Sequence, residues 1–528
     1  MAANFREYLQ TLRKHDELTE ISRPVDLRNV AALVPQSEKA LLFSNVRGYS
    51  MSVVSGLLQS RNRLALGMGV NYGGIEGKLR SAMDHPIKPR IVKKAPVKDV
   101  ILTKNKVDLY QLPVPIFSVM DGGPMITGAV VIAVDPEYEM NAGMYRLMVT
   151  EKNITGIDIV TPNNLRRYAE RALEKKKPLP ISMSIGVHPY EMIASTFKAA
   201  LGENELAYAG GLRRKPLALA EGETIPVPCI ADAEIVLEGE IVPEGWTQRE
   251  GPFSEFNRLM GGIHYNPRVR IKAIMRRRDP IYYALHMPWE NIWMSAPIYE
   301  AAAFRVLREA GVTATAINVT PGGCCHWHIV AAIKKQPGDG KNAILALLSI
   351  ADIKHVVVTD DDIDIFDPVD LEWALATRVQ ADRDVIIVSN ARSKPLDPSL
   401  PPTAGIPTTA KMGIDATIPE NVPRERYKRI VYVNEGRVQL KDFLGAEAQR
   451  AEPRAQDGIT RDIEALEQKI LDSVSKSRRL FAEILELFPR SDFGSIARVI
   501  GELTSAGKIA QDDEGKYQLV PEGLSQTR

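Results

Sequence analysis

Ile126-Thr-Gly-Ala-Val-Val-Ile-Ala-Val134 is a nearly continuous apolar run rich in β-branched residues. Its length suits a strand rather than a helix, and an unbroken apolar pattern marks a strand covered on both faces. Working outward, residues 145–149, 234–237, 269–275 and 281–285 read as further strands, with a helix over 189–200 between them. A β-barrel or sandwich with helical insertions accounts for this middle third, residues 113–297.

On the amino-terminal side, residues 1–112 mix a helix with short strands such as 40–45 and a basic, proline-spaced run over 85–98. The helix carries Phe5, Leu9 and Leu12 on one face. After Pro297 the pattern alternates: helix 299–310, strands 313–319 and 326–334, helix 342–350, strand 355–358, helix 368–378 and strand 384–388. That alternation predicts an α/β layer with a largely parallel sheet over 298–450, interrupted by a proline-heavy loop at 390–409. From about Asp457 to Arg528 a separate unit reads as three helices, two of them at 476–488 and 494–506, and a hairpin over 509–519. No repeat of solenoid length is present.

At 528 residues the chain exceeds one hydrophobic core, so two to four domains are expected. A formal net charge of +1 gives no electrostatic reason for nucleic acid or anionic membrane as the main partner. No apolar stretch reaches the roughly 18 residues of a membrane span, and the amino terminus lacks the apolar core of a secretion signal. Three cysteines, two adjacent at Cys324 and Cys325, form no disulfide framework, which points to a reducing cytoplasm.

Candidate chemistry lies in short motifs, each with a plain structural alternative. Glu250-Gly-Pro-Phe-Ser-Glu255 sets two carboxylates on a turn, one to position and one to donate a proton, or else is a solvated turn. Asn141-Ala-Gly-Met-Tyr-Arg146 offers an amide, a glycine open to a ligand's close approach, and a guanidinium that grips carboxylates; a strand entry with a surface arginine is the alternative. Glu205 suits an oxygen site for Mg2+ or Mn2+ together with Asn141, or is an ordinary helix-end glutamate. His326 and His328 in Cys324-Cys325-His326-Trp327-His328 share a strand face, but no second Cys or His pair stands at zinc-finger spacing. His286 ends a strand and reads equally as a pocket residue or a structural histidine. Asp121-Gly-Gly-Pro124 is a turn before a strand, and Asp360-Asp361-Asp362 fits capping and solvation better than metal binding. Lys411, beside glycine in Lys411-Met-Gly-Ile-Asp-Ala-Thr417, suits a phosphate contact only weakly.

In order, Asp121 to Thr127, Asn141 to Arg146, Asn204 to Gly210, Glu250 to Glu255 and Lys411 to Thr417 resemble the motifs of the UbiD family of reversible decarboxylases. The resemblance extends over roughly residues 1–445. It implies an α+β and α/β multidomain fold: a central FMN-binding split β-barrel, an amino-terminal α/β region, a carboxyl-terminal α/β dimerisation domain, and here a winged-helix-like extension. It implies prenylated FMN as cofactor with Mn2+ or Mg2+, and K+ as a further cation. Asn141 and Glu205 match metal ligands. Met144, Tyr145 and Arg146 match the segment on the cofactor, and Asp158, Ile159, Val160, Asn163 and Asn164 lie in the region that follows. Where relatives carry a histidine as third ligand this chain has none, and Asn164, ahead of Asn163, is the expected replacement. Arg146, Glu250 and Glu255 match the catalytic network, with Glu255 as proton donor from an apolar pocket, and Lys411 matches a lysine near the cofactor. His286, His326 and His328 are candidates for the substrate pocket.

The implied reaction is non-oxidative decarboxylation of an aromatic, heteroaromatic or other α,β-unsaturated acid, or its thioester, through a covalent adduct to the cofactor; the reverse carboxylation is the alternative. Implied partners are carbon dioxide, a prenyl-FMN synthase and further copies in a homodimer or homohexamer. A DNA-binding regulator is the rival reading of the tail. Against it, residues 457–528 hold 10 Lys plus Arg and 13 Asp plus Glu, a net of −3, where groove binding calls for a basic surface.

Overall fold

The apolar run forms the strand Met125–Asp135, in which every residue except Val134 is buried. This computed structural model describes residues 4–160, 162–197, 199–394, 396–401, 407–440, 463–489 and 491–521, which divide into two compact units, Met1–Pro423 and Arg424–Arg528. Met125–Asp135 pairs antiparallel with Glu139–Glu151 on one side and Leu179–Ile185 on the other. Leu179–Ile185 continues to Ile235–Glu250, and Glu139–Glu151 to Ile154–Gly156 and then His264–Arg276. Ile235–Glu250 and His264–Arg276 pair in turn, closing six strands into a barrel. Closure leaves its inner face with side chains alone to fill it. Outside, the helix Asn164–Glu174 packs against the barrel strands and buries Leu165, Tyr168 and Ala169. Covering from both sides explains why the first strand is apolar throughout.

The amino-terminal helix is Phe5–Lys14, capped by Asn4 and burying Phe5, Tyr8, Leu9 and Leu12. It accompanies a four-stranded sheet of Leu18–Ile21, Ala40–Phe43, Ser52–Ser55 and Ile281–Tyr283. The last strand comes from beyond the barrel and runs parallel to Ser52–Ser55. Fully buried Glu290 ties this return to the sheet, its carboxylate accepting from Gly56 N (3.0 Å), Leu58 N (2.9 Å), His286 N (2.8 Å) and the Tyr283 hydroxyl (2.6 Å).

Three expectations change. A boundary at Pro297 is replaced by one unbroken helix, Trp289–Glu309, with Pro297 inside it. Burial of Ile292, Trp293, Met294, Ala296, Ala303 and Leu307 outweighs the roughly 3 kcal/mol of an internal proline. The helix expected over 189–200 stops at Ala194, where the Thr196 hydroxyl donates to Ile193 O at 2.7 Å and competes with the helical pattern. The carboxyl-terminal sheet is mixed, ordered Ala314–Val319, His328–Ile333, His355–Asp360, Thr408–Ala416 and Val385–Arg392, with only the two inner pairings parallel. Ala314–Val319 and His328–Ile333 are joined by a connection too short for a parallel crossover, so they run antiparallel.

In the second unit, helices Ile463–Lys476, Phe481–Leu487 and Phe493–Ser505 enclose a core of Leu466, Ile470, Val474, Ile484, Ile496, Val499, Ile500, Leu503 and Ile509. The strands Ile509–Gln511 and Tyr517–Leu519 form the wing. The expected limits at 450 and 457 lie outside the described residues. No described helix is long and apolar enough to cross a membrane.

Replacing Glu290 by Ala strands three buried peptide N–H groups and a tyrosine hydroxyl. The substitution is expected to cost at least about 3 kcal/mol, read as a lower urea midpoint; an unchanged midpoint would show that these donors find other acceptors.

Candidate active site

The strand Glu139–Glu151 carries both halves of the site. A bulge sets Thr127 and Gly128 against Arg146, between the Ala129–Tyr145 and Ile126–Leu147 pairs. Bulges of this kind re-aim a side chain. The Arg146 guanidinium meets three carboxylates: Asp158 from Nη2 (2.9 Å), Glu250 from Nε (3.1 Å) and Glu255 from Nη1 (2.7 Å). The Phe253 ring centroid lies 5.1 Å from its central carbon. Burial opposes the arginine's charge, but the three carboxylates outweigh burial and raise its pKa.

The two glutamates are not twin residues of one turn. Glu250 is the last residue of the strand Ile235–Glu250 and fully buried, and its second oxygen accepts from Asn266 Nδ2 at 2.9 Å. Burial raises its pKa, against the opposing pull of Arg146 and Asn266. Glu255 sits in the following loop and retains 9% exposure. Two glycines make room for these acids. A Cβ on Gly156 would stand 2.6 Å from Glu250 Oε2, and one on Gly261 would stand 2.5 Å from Glu255 Oε1. Sequence reading placed Asp158 along the cofactor and overlooked its ion pair, and it missed Asn266, Gly156 and Gly261. All of these depend on barrel pairing, although an isolated glycine in a strand pattern is itself a hint of close approach.

Five residues before Arg146, about 17 Å along an extended strand, Asn141 meets Glu205, the first residue of the helix Glu205–Arg213. Asn141 Nδ2 donates to one Glu205 oxygen at 2.7 Å and Ala142 N to the other at 2.8 Å. Burial lifts the Glu205 pKa to about 7, against these donors. Asn141 Oδ1 is buried without a hydrogen-bond partner. An orphaned acceptor beside a buried carboxylate is costly unless a cation or donor fills the gap, so this donor set fits a hard divalent ion. Gly143 does not open the strand to a ligand as expected; a Cβ there would meet the Tyr145 ring at 2.5 Å. The Tyr145 hydroxyl reaches Asn163 Oδ1 (3.3 Å), which also caps the helix Asn164–Glu174 through Arg166 N (2.9 Å). Asn164 Nδ2 donates to Ala199 O at 3.3 Å. Asp158 Oδ1 accepts from Val160 N at 3.1 Å, which shapes the segment containing Ile159.

Other candidates separate from this pair of clusters. Lys411 lies on Thr408–Ala416, where its ammonium donates to Leu348 O (2.9 Å), Ile350 O (2.8 Å) and Ala351 O (3.1 Å), at the carboxyl end of the helix Asp339–Leu348. A cation there complements the helix end, so its donors serve the fold. His326 and His328 do not share a strand face. Cys324 and Cys325 adopt left-handed backbone, the strand begins only at His328, and His328 Nδ1 faces the Thr320 hydroxyl at 3.0 Å. The His326 ring packs tilted by 32° against Phe256, the residue after Glu255, with centroids 4.3 Å apart. His286 is buried; its Nε2 faces Ala31 O at 2.9 Å and its ring meets Phe117, which in turn meets Phe253. Asp360 and Asp362 are held by Arg378.

Comparison with known proteins matches three family models of 3-octaprenyl-4-hydroxybenzoate carboxy-lyase: the N-terminal domain over residues 9–79, the Rift-related UbiD domain over 90–288 and the C-terminal domain over 292–416. Anhydromevalonate phosphate decarboxylase of Methanosarcina mazei is 35% identical over 82% of this chain and all of its own length. Phenolic acid decarboxylase of Sedimentibacter hydroxybenzoicus is 30% identical over 80% of this chain and 93% of its own. Among solved structures, the UbiD-class enzyme HmfF of Pelotomaculum thermopropionicum in complex with FMN is 39% identical, covers 84% of this chain and all of its own, and superposes with a TM-score of 0.80. An evolved dimeric form of HmfF in complex with prFMN is 37% identical, with the same coverage and a TM-score of 0.76. With the closed barrel, the Arg146 cluster and these matches in agreement, the chain belongs to the UbiD family of carboxy-lyases.

Proposed function

We propose that this enzyme binds prenylated FMN along the strand Glu139–Glu151 and, with it, reversibly decarboxylates an aromatic, heteroaromatic or other α,β-unsaturated carboxylic acid or its thioester. The observation that carries this reading is the half-buried Arg146 with fully buried Glu250 on one side and the slightly exposed Glu255 on the other. Relatives solved with FMN and prFMN support the cofactor. The orphaned Asn141 Oδ1 beside Glu205 supports a cation site in which Asn141, Glu205 and Asn164 would hold a Mn2+ or Mg2+ ion. When bound, a prenylated flavin supplies an electron-accepting centre for the charge left on an sp2 carbon as carbon dioxide departs, which side chains alone stabilise poorly.

The side chains supply orientation and a proton. Arg146 donates from Nε to Glu250 and from Nη1 to Glu255 and forms an ion pair with Asp158, which leaves donors among its five N–H groups for the substrate's own carboxylate. Glu250, anchored by Asn266, fixes the guanidinium from the buried side. Glu255, the more accessible acid, delivers the proton to the carbon that loses carbon dioxide, and removes it in the carboxylating direction. His286 lines the pocket through its contact with Phe117. Further copies of the chain complete a dimer or hexamer, and the acidic tail serves a protein contact rather than DNA.

Two measurements test the reading. Protein co-produced with a prenyl-FMN synthase is offered 2-furoic, 3,4-dihydroxybenzoic, gallic and cinnamic acids. Glu255→Gln is expected to cut carbon dioxide release at least about 100-fold while flavin absorbance per chain stays constant; full turnover by that variant would exclude Glu255 as the donor. Glu205→Ala is expected to lose bound manganese and most of its flavin together, read by metal analysis and absorbance, and unchanged retention of both would remove Glu205 from the cation site.

A further inference from the structure

We propose that Asp121 is a positioning residue for proton transfer, holding the loop that carries Glu255 at its distance from Arg146. This rests on the functional reading above and extends it to a residue that touches neither arginine nor glutamate among the contacts described. Glu250 ends a barrel strand, so its place is set by the sheet. Glu255 has no such support, because the ladder with His264–Arg276 finishes at the Glu250–His264 pair. The loop folds on itself through Glu255 N to Leu259 O (2.9 Å), Arg258 N to Glu255 O (3.0 Å) and Gly261 N to Phe253 O (2.8 Å). Those bonds fix its shape and leave its placement to other contacts.

Asp121 provides that placement on the side of the first barrel strand, while Asn257 Nδ2, donating to Leu396 O at 3.0 Å, and the Phe256–His326 contact tie the far side of the loop. Its Oδ1 accepts from Ser254 N and from the Ser254 hydroxyl, both at 3.2 Å, and its Oδ2 accepts from Phe117 N and Ser118 N, both at 2.8 Å. One carboxylate thus joins the residue immediately before Glu255 to the segment leading into the first barrel strand, by hydrogen bonds strengthened through its charge. Gly122 N adds a bond to Pro252 O at 2.8 Å, and a Cβ on Gly122 would stand 2.2 Å from Gly251 O, so the two backbones meet only because that residue is glycine. The Phe117 ring then packs edge-on against Phe253, the ring beneath Arg146. Asp121-Gly122-Gly123-Pro124, a turn with no evident role in the sequence, is the seat of the catalytic loop. A displacement of about 1 Å in such a group costs on the order of 100-fold in rate.

The test compares the prenylated-FMN holoenzyme of wild type, Asp121→Ala, Ser254→Ala and the double variant. It measures steady-state kinetics with whichever of the four acids the wild type turns over fastest, and hydrogen exchange over residues 250–261. Asp121→Ala is expected to lower kcat about 100-fold with KM within about twofold, to leave flavin per chain unchanged, and to speed exchange in the loop but not in Met125–Asp135. Ser254→Ala, which keeps the peptide N–H, lowers kcat about 3- to 10-fold, and the double variant is no worse than Asp121→Ala because both act through one contact. Unaltered loop exchange, a rise in KM with kcat intact, or additive losses would each overturn the proposal. If Asp121→Ala does not fold, Ser254→Ala alone decides: accelerated loop exchange with a selective fall in kcat supports the clamp, and wild-type behaviour rejects it. A fully active Glu255→Gln refutes the functional reading instead, and leaves the exchange result to report on the clamp.

Discussion

One guanidinium shared by three carboxylates governs the architecture of this site. Arg146 and Glu250 are largely removed from water, where an unpaired charge is expensive and a paired one is tolerated only with good geometry and satisfied lone pairs. Each acid arrives on a different piece of chain: Glu250 at the end of a barrel strand, Glu255 on the loop after it, and Asp158 just beyond the strand Ile154–Gly156. Their convergence requires the barrel to be closed. A barrel that failed to pair Ile235–Glu250 with His264–Arg276 would also separate Glu250 from Asn266.

The second cluster uses the same strand differently. Asn141 and Glu205 leave a buried amide oxygen without a protein donor, an acceptor open to a cation or a water. Placing an unsatisfied acceptor at one end of a strand and a cation paired with three carboxylates at the other gives the strand opposite chemical demands over five residues. Rigidity matters for both, and the barrel supplies it more firmly than a loop would.

Much of the fold was legible because hydrophobic period and helix signals act locally. The run 126–134 reads as a covered strand, and the helix expected over 368–378 forms as Pro368–Arg378, where Asp367 caps it. Pro297 misled because tertiary burial of the long helix overrode a local penalty. His326 and His328 misled because two left-handed cysteines postpone the strand, a conformation that residue type does not announce. Lys411 misled because its motif matched while its ammonium turned to a helix end in its own domain.

By itself the sequence determined the family, the strand-rich middle, the pairing of Arg146 with Glu250 and Glu255, and the Asn141–Glu205 partnership, since motif order and residue chemistry survive without coordinates. Tertiary structure alone decided that Asp158 is the third acid on Arg146, that Gly156 and Gly261 leave room for carboxylates, and that Asp121 accepts from the residue before Glu255. The physical reason is range. Periodicity and turn chemistry are written into neighbouring residues, whereas a contact between residues 121 and 254 depends on the closed barrel that brings them together.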